Sequence, residues 1–311
     1  MRKSIALHLG LIALLIVLQF VLPAYHHGNM ARIMVMATYA MGYNIMFGYT
    51  GLLSLGHAMF FAAGLYGMGL SVQFLGMGVG PAFGMGLFAS LTLSLVVGLL
   101  ALRTLGVAFM IVTLMFSQTI FLVILYFNPY TRGDEGFVIQ QSVRHIFGLD
   151  LSDPTIRYFA ALVLFSTVLI GTLKLVQSNI GRVFIAIREN EPRAKMLGYD
   201  TWRHKLLSVV LSGTVSGAAG ASYGILFGYV GASFAQVPYS IFPLLWVLLG
   251  GAGTVIGPFI GTLFMFYLID LSSTVTDAYM LVVGVVLVLL TMFARNGLIG
   301  IVRERWAKWL P

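Results

Sequence analysis

The stretch SNIGRVFIAIRENEPRAKMLGYDTWRHK, Ser178 to Lys205, is a polar island in an apolar chain. It holds Arg182, Arg188, Arg193, Lys195, Arg203 and Lys205, with Glu189, Glu191 and Asp200. Apolar runs long enough to cross a hydrocarbon core of about 30 Å stand on both sides of it. A charged segment held between such runs is a docking surface outside the membrane. The composition agrees: 59% of the 311 residues are hydrophobic and 9% are charged, against roughly 25% charged in a soluble domain. The reading is an all-α, polytopic transmembrane helical protein. A β-barrel would show short alternating segments instead.

Working outward, the apolar runs predict spans at about Ile5–Leu22, Ala31–Phe47, Pro81–Leu102, Leu105–Phe127, Tyr158–Val176, Lys205–Tyr229 and Tyr279–Ala294. The first resembles a signal peptide but lacks a clear cleavage site, which predicts an uncleaved first span. Two further segments are broken by glycine. Gly48–Gly69 carries Thr50, Gly51, Ser54, Gly56 and His57; the other, Pro238–Ile269, is interrupted at Gly250, Gly251, Gly253 and Thr254. Broken helices persist in membranes only where they pack on protein or line a cavity. One such segment in each half is the pattern of a transport site between internal repeats, so these nine residues are the translocation-path candidates. His57 is the one ionisable residue between Arg32 and Arg103. It reads first as a buried neutral histidine that fixes packing, and second as a functional group.

Charge sets the expected topology. With both termini cytoplasmic, the inner side collects Arg2, Lys3, Arg103, Lys174, the six cations of the island, and Arg295, Arg303, Arg305 and Lys308. Only Arg32, Arg132, Arg144 and Arg157 stay outside, a positive-inside pattern. It explains the net charge of +8 without nucleic acid. Equal sidedness demands an even number of crossings, so Pro238–Ile269 should enter and return as a hairpin with Gly250–Gly253 at its tip. That gives about 8–10 segments, with ten preferred, in a single transmembrane domain over residues 1–311. Residues 128–157 form an extracytoplasmic loop, 177–205 a cytoplasmic loop and 295–311 a cytoplasmic tail, whose Trp306 and Trp309 suit lipid headgroups. Ser212, Gly213, Ser216, Gly217 and Gly220 make a small-residue face for close helix packing.

Within the island, Pro192 suits a first helical turn, Asn190 or Glu191 its cap, and Gly198 a left-handed end. Ala194 and Leu197 fall on its apolar side. The chain has no cysteine, so thiolate chemistry is excluded. His26-His27 reads as a polar turn, and no metal site is expected. No phosphate-binding Gly-Lys-Ser/Thr loop occurs, so a nucleotide that drives transport must bind another chain. No paired carboxylates or nucleophile–base pair points to an enzyme.

Three patches resemble one family. They are Gly48-Tyr-Thr-Gly-Leu-Leu-Ser-Leu-Gly-His-Ala58, the central Gly181–Leu206 with Glu191-Pro-Arg-Ala194 and Leu197-Gly198, and Gly250-Gly-Ala-Gly-Thr254 with Gly257-Pro258. In order and spacing they resemble the branched-chain amino acid permeases of ABC importers. Thr131-Arg-Gly-Asp-Glu-Gly136 resembles a loop of the M-type subunit. Arg132, Pro192 and Arg193 depart from the usual residues. The resemblance implies a permease subunit in a bacterial or archaeal cytoplasmic (inner) membrane. It implies partners: two ABC ATPase subunits that hold ATP and Mg, a second H-type permease and an extracytoplasmic substrate-binding protein. It assigns ATPase coupling to Arg188, Glu191, Ala194, Leu197 and Gly198, and binding-protein docking to Thr131, Gly133, Asp134 and Gly136. Relatives with such motifs carry urea, short amides or sugars, which leaves those cargoes as an alternative. The alternative of another class is a proton-coupled secondary transporter that titrates His57.

Overall fold

The computed structural model describes residues 2–146, 148–276, 278–293 and 297–300. Apart from residues 297–300, the expected tail 295–311 lies outside them. The helices, in order, are α1 (Arg2–Val21), α2 (Ala24–Asn44), α3 (Ala58–Leu75), α4 (Val79–Ala101), α5 (Val107–Tyr126), α6 (Asn128–Thr131), α7 (Pro154–Gln177), α8 (Asn179–Met196), α9 (Thr201–Phe227), α10 (Val237–Gly250), α11 (Gly257–Val275) and α12 (Tyr279–Phe293). A π-helical stretch, Ile45–Tyr49, extends α2.

Punctuation in the sequence explains most of these limits. Pro23 ends the first helical run and starts α2. Asp153 accepts from the amides of Thr155 and Ile156 at the start of α7, where Pro154 needs no partner for its missing N–H. Ser178 caps α8 and Asp200 caps α9. Gly76 and Gly228 end α3 and α9 in the left-handed conformation, at φ 60° and 73°.

Seven helices among the described residues are long and apolar enough to cross a membrane: α1, α3, α4, α5, α7, α9 and α11. The others fall short for different reasons. α2 is long but carries His26, His27, Arg32 and Asn44, and α10 and α12 have 14 and 15 residues. All ten nevertheless alternate in direction between the face bearing α8 and the opposite, far face. Tyr25 donates to Asp270, and His26 bonds Tyr267, where α2 begins and α11 ends on the far face. At the other end of both, Gly253 donates its N–H to Asn44. The expected hairpin is therefore present. α10 runs to the α8 face, Gly251–Ile256 turns, and α11 runs back. The end of α12 returns to the same tip, where a Cβ on Gly297 would stand 2.4 Å from the Gly251 nitrogen.

The expected break in Gly48–Gly69 is confined to its first part: residues 51–57 have no regular secondary structure, and α3 runs on from Ala58 past Gly69. One expectation needs correction. The 177–205 segment is mostly helix rather than loop, because Val183, Phe184 and Ile187 give it a buried side.

α2 and α9 form the centre. From Ile33 to Tyr43 nearly every side chain of α2 is fully enclosed. The small-residue face of α9 brings two helices to near backbone contact. A Cβ on Gly217 would lie 2.1 Å from Ser90, and one on Gly64 of α3 would lie 2.0 Å from the Gly217 oxygen. Without a hydrophobic force between helices in lipid, close packing of this kind supplies the association energy. An aromatic column runs alongside on α2, with Tyr39, Tyr43 and Phe47 one turn apart. Tyr43 and Phe47 have ring centroids 5.6 Å apart, and Tyr39 and Phe61 5.0 Å.

Gly64→Val should lower the melting temperature of the detergent-solubilised chain sharply, by a destabilisation of about 3 kcal/mol, the upper end of overpacking penalties. Gly80→Ala, at an ordinary φ with open space around it, should leave the melt unchanged.

Candidate functional site

The two glycine-rich breaks meet at the α8 face. Asn44, the last residue of α2, reaches across from the first break to the second. Its Nδ2 donates to the Thr254 carbonyl at 2.9 Å and its Oδ1 accepts from the Gly253 amide at 3.0 Å. The chains approach so closely that a Cβ on Gly48 would stand 2.6 Å from the Gly253 nitrogen. A Cβ on Gly250 would stand 1.8 Å from the Gly257 oxygen, which closes the hairpin tip. Thr254 completes the turn, donating to the Gly251 carbonyl and accepting from the Gly257 amide.

Arg188 joins α8 to both breaks. Its Nη1 donates to the Gly48 carbonyl. The same nitrogen lies 2.6 Å from where a Gly253 Cβ would be, and its Cγ lies 3.1 Å from that of Gly51. Gly51 and Gly253 have φ of 78° and 76°, so each needs glycine for its backbone as well as for space. The resemblance placed Arg188 with the coupling residues. The structure turns its guanidinium toward the breaks.

The rest of the first break is held from three sides. Thr50 donates to the Ile45 carbonyl at 3.1 Å and shares a 2.8 Å hydrogen bond with Ser208 of α9. Tyr43 donates to the Ser54 carbonyl at 2.9 Å. Gly56 packs on α5, its Cβ direction 1.8 Å from the Thr113 oxygen. His57 is fully buried. Its Nε2 lies 2.7 Å from Ser216 Oγ and 3.4 Å from Ser212 Oγ. Its ring stacks on Tyr39 and meets Tyr43 edge-on. Its Nδ1 has no hydrogen-bond partner among the described residues.

The coupling set divides in two. Backbone at Asn190 is non-helical (φ −160°, ψ 95°), so α8 kinks there. Asn190 Oδ1 then accepts from the Arg193 amide, which caps the short turn expected around Pro192. Gly198, at φ 87°, follows its end. Glu191 binds inward, 2.9 Å from Lys205 Nζ and 3.2 Å from Lys195 Nζ, with a hydrogen bond from Thr201. Partial burial pushes its pKa up, but the hydrogen bonds from Lys205 and Lys195 outweigh that and hold it below the ordinary carboxylate range. Ala194 is buried against Val183 and Ile187. Leu197 does not share that side as expected: it is 70% exposed, because the helix ends at Met196 and the chain turns outward. Met196, Tyr199 and Trp202 are exposed beside it. Sequence reasoning missed these three, and also Asn44. The signal for the first group was an apolar cluster at a helix end, and for Asn44 a lone amide next to a glycine break.

On the far face the Thr131–Gly136 loop is a rigid turn. Thr131 is buried and donates to the Ile124 carbonyl at 2.6 Å. Gly136 has φ 66°, and a Cβ there would stand 2.4 Å from the Val230 oxygen. Phe137–Val138 pairs antiparallel with Tyr229–Val230 and ties the loop to the end of α9. Gly133 is enclosed, while Asp134 is exposed together with Arg132 and Glu135. His26 and His27 take separate partners, Tyr267 and the Leu22 carbonyl.

Comparison with known proteins agrees with this architecture. The model of the family described as branched-chain amino acid transport system / permease component matches residues 28–291. The chain belongs to this family. It is accordingly a multi-pass membrane permease, of a family of transport subunits rather than enzymes. The high-affinity branched-chain amino acid transport system permease protein LivM of Salmonella typhimurium is 26% identical over 295 residues, covering 88% of this chain and 69% of the relative. The protein of the same name in Escherichia coli matches to the same extent. The autoinducer 2 import system permease protein LsrC of an Enterobacter species is 32% identical over 103 residues, 32% of this chain and 30% of the relative. No solved structure matches this permease.

Asn44→Ala leaves the Gly253 amide and Thr254 carbonyl of the permease without partners. It should cost about 2–3 kcal/mol, read as a lower melting temperature and faster amide exchange confined to the two breaks. Glu191→Gln should cost on the order of 2 kcal/mol, since it strands the Lys205 charge, which is 5% exposed, while Glu191 itself is 26% exposed. The folded-state pKa of Glu191 is depressed, so its contribution is full at neutral pH and disappears as pH falls through that lowered value. An acid melting series should show this loss in the parent and a flatter profile in Glu191→Gln.

Proposed function

We propose that the chain is the translocating permease subunit of an ATP-driven importer for branched-chain and other hydrophobic amino acids. Its α8 face is cytoplasmic, as are both termini, in a bacterial or archaeal inner membrane. Two ABC ATPase subunits, which hold ATP and magnesium, engage α8. A second, H-type permease completes the path, and an extracytoplasmic substrate-binding protein delivers cargo to the far face. The family supports the class of cargo, since the relatives named LivM are branched-chain amino acid permeases by name. The relative named for autoinducer 2 import keeps another cargo, such as urea, a short amide or a sugar, as the second reading.

The observation that carries the mechanism is the placement of Arg188. One residue of a helix outside the span is bonded to the backbone of the first break and lies against the second. An ATPase that grips the exposed Met196, Leu197, Tyr199 and Trp202 and tilts α8 would pull on Gly48 and push on Gly253 in the same movement. Such rigid-body transmission from one packed element to another is how small displacements become switching. Glu191 keeps the lever stiff by pinning the end of α8 to Lys205 on α9. The breaks can respond because they lack a continuous ladder of helical hydrogen bonds. A proton-coupled carrier finds less support: the partners of His57 among the described residues are serines and aromatic rings, with no carboxylate among them.

The complex reconstituted in proteoliposomes tests this. Gly198→Trp strains a left-handed position by about 1–2 kcal/mol and sets an indole in the exposed patch. Arg188→Ala cuts the link to the breaks. Both should retain ATP hydrolysis while ATP-dependent leucine uptake falls at least about tenfold. Normal coupled uptake in Gly198→Trp overturns the proposal.

A further inference from the structure

Three arginines converge on the far face from three parts of the chain. Arg32 comes from α2, Arg157 from the first turn of α7, and Arg144 from the loop between α6 and α7. The Arg32 and Arg157 guanidinium carbons lie 5.2 and 5.6 Å from the centre of one ring, Phe227, at the end of α9. Arg144 reaches the same helix end: its Nη1 donates to the Leu226 carbonyl at 3.5 Å and lies 2.9 Å from where a Gly228 Cβ would be. Arg144 and Arg32 act on Arg157 as like charges, opposed by the smaller effects of the carboxylates of Asp153 and Asp150.

No carboxylate forms an ion pair with this cluster among the described residues. Every ion pair among the described residues lies elsewhere, in Glu191–Lys195, Glu191–Lys205 and Asp200–Arg203. The two nearby acids are committed. Asp150 accepts from Gln141 and from the Ser152 amide, and Asp153 caps α7. Arg157 spends Nη2 on the Ser152 carbonyl, but the Nε of Arg157 and the Nε of Arg144 are enclosed with no acceptor among the described residues. Buried donors on charged groups are costly when unpaired. Guanidinium groups in a fork geometry are matched by a carboxylate. Apolar and hydroxyl-bearing surface adjoins them, since the Tyr223 and Phe227 rings are 4.7 Å apart and Tyr223 and Tyr239 both feel the charge of Arg32.

We propose that Arg32, Arg144 and Arg157 bind the carboxylate of a free amino acid at the far face, with Tyr223, Phe227 and Tyr239 receiving its apolar side chain. The inference rests on the transport reading above and adds a site of first engagement to it. The enclosure of the two Nε donors favours a small ligand over an acidic side chain of a docked protein, which would meet an exposed rim such as Arg132. Phe227 leads inward from this site to Tyr223, Phe61, Tyr39 and His57, each ring within 6.1 Å of the next. The ligand would thus be held at the head of the aromatic column.

Calorimetric titration of the full-length chain in nanodiscs with L-leucine, leucinamide and inorganic phosphate tests the site. Leucine should bind saturably and leucinamide at least about tenfold more weakly, for loss of the charge-assisted pair. Arg144→Gln and Arg157→Gln should each weaken leucine about tenfold or more, and Arg157→Lys less. Arg32→Gln, at an exposed position, serves where the enclosed variants fail to give a monodisperse, cooperatively melting protein. Equal binding of leucine and leucinamide, or unchanged leucine binding in the Gln variants, overturns the proposal. Displacement by equimolar phosphate does so too, since it marks a general anion site. If the Gln variants lose uptake of protein-delivered leucine but bind free leucine normally, the carboxylate belongs to the delivering protein and the proposal also fails. ATP-driven uptake by the unaltered complex is measured beside these, so a failure here with that uptake intact overturns the site alone.

Discussion

A break in a helix inside an apolar bundle leaves backbone amides and carbonyls that water cannot reach, and each must find a partner within the protein. The rest of this structure depends on how that constraint is met. Asn44 gives one amide hydrogen and takes another, joining the end of α2 to the tip of the α10–α11 hairpin. Arg188 covers the Gly48 carbonyl from outside the span. Thr50, Ser54, Thr113, Ser240 and Thr254 each satisfy one further backbone group. The breaks are thus neither loose nor helical. They hold one arrangement through a few side-chain contacts, which fewer changes can undo than a full helical ladder would require.

The two breaks also occupy the same place in two similar hairpins. α2 and α10 run toward the α8 face, each chain turns through glycine, and α3 and α11 run back. Their backbones come within van der Waals contact because Gly48 and Gly253 have no side chains. A larger residue at either would separate the hairpins and remove the space into which Arg188 reaches. The charged helix and the glycine breaks, far apart in sequence, therefore act as one mechanical unit. The far face is built differently, from guanidinium groups over aromatic rings, and the enclosed rings between the faces leave little room for water.

The fold class was legible because composition decides it: so few charges cannot cover a water-soluble surface of this size. The cap at Asn190 and the left-handed end at Gly198 were legible in the local sequence, and the caps Asp153, Ser178 and Asp200 act through the same short-range chemistry. The hairpin at Gly250–Gly253 followed from charge parity alone. Other features were not readable. Glycine density in Gly48–Gly69 suggested a weakened helix, yet only residues 51–57 leave helical geometry, since the glycines at 64, 67 and 69 serve close packing against α9, α4 and Phe137. Leu197 looked equivalent to Ala194 by spacing, but the helix ends before spacing can apply.

From the sequence by itself come the membrane class, the alternation of segments, the polar helix between spans and the family motifs. These follow from hydropathy, charge and local backbone preference, which act over short stretches of chain. Only the tertiary structure decided that Arg188 faces the breaks instead of the surface, that Glu191 pins Lys205, and that Arg32 and Arg157 share the Phe227 ring with Arg144 beside it. Those facts depend on the direction of side chains brought together from different helices, and the close approach that small residues permit exists only once the helices have packed.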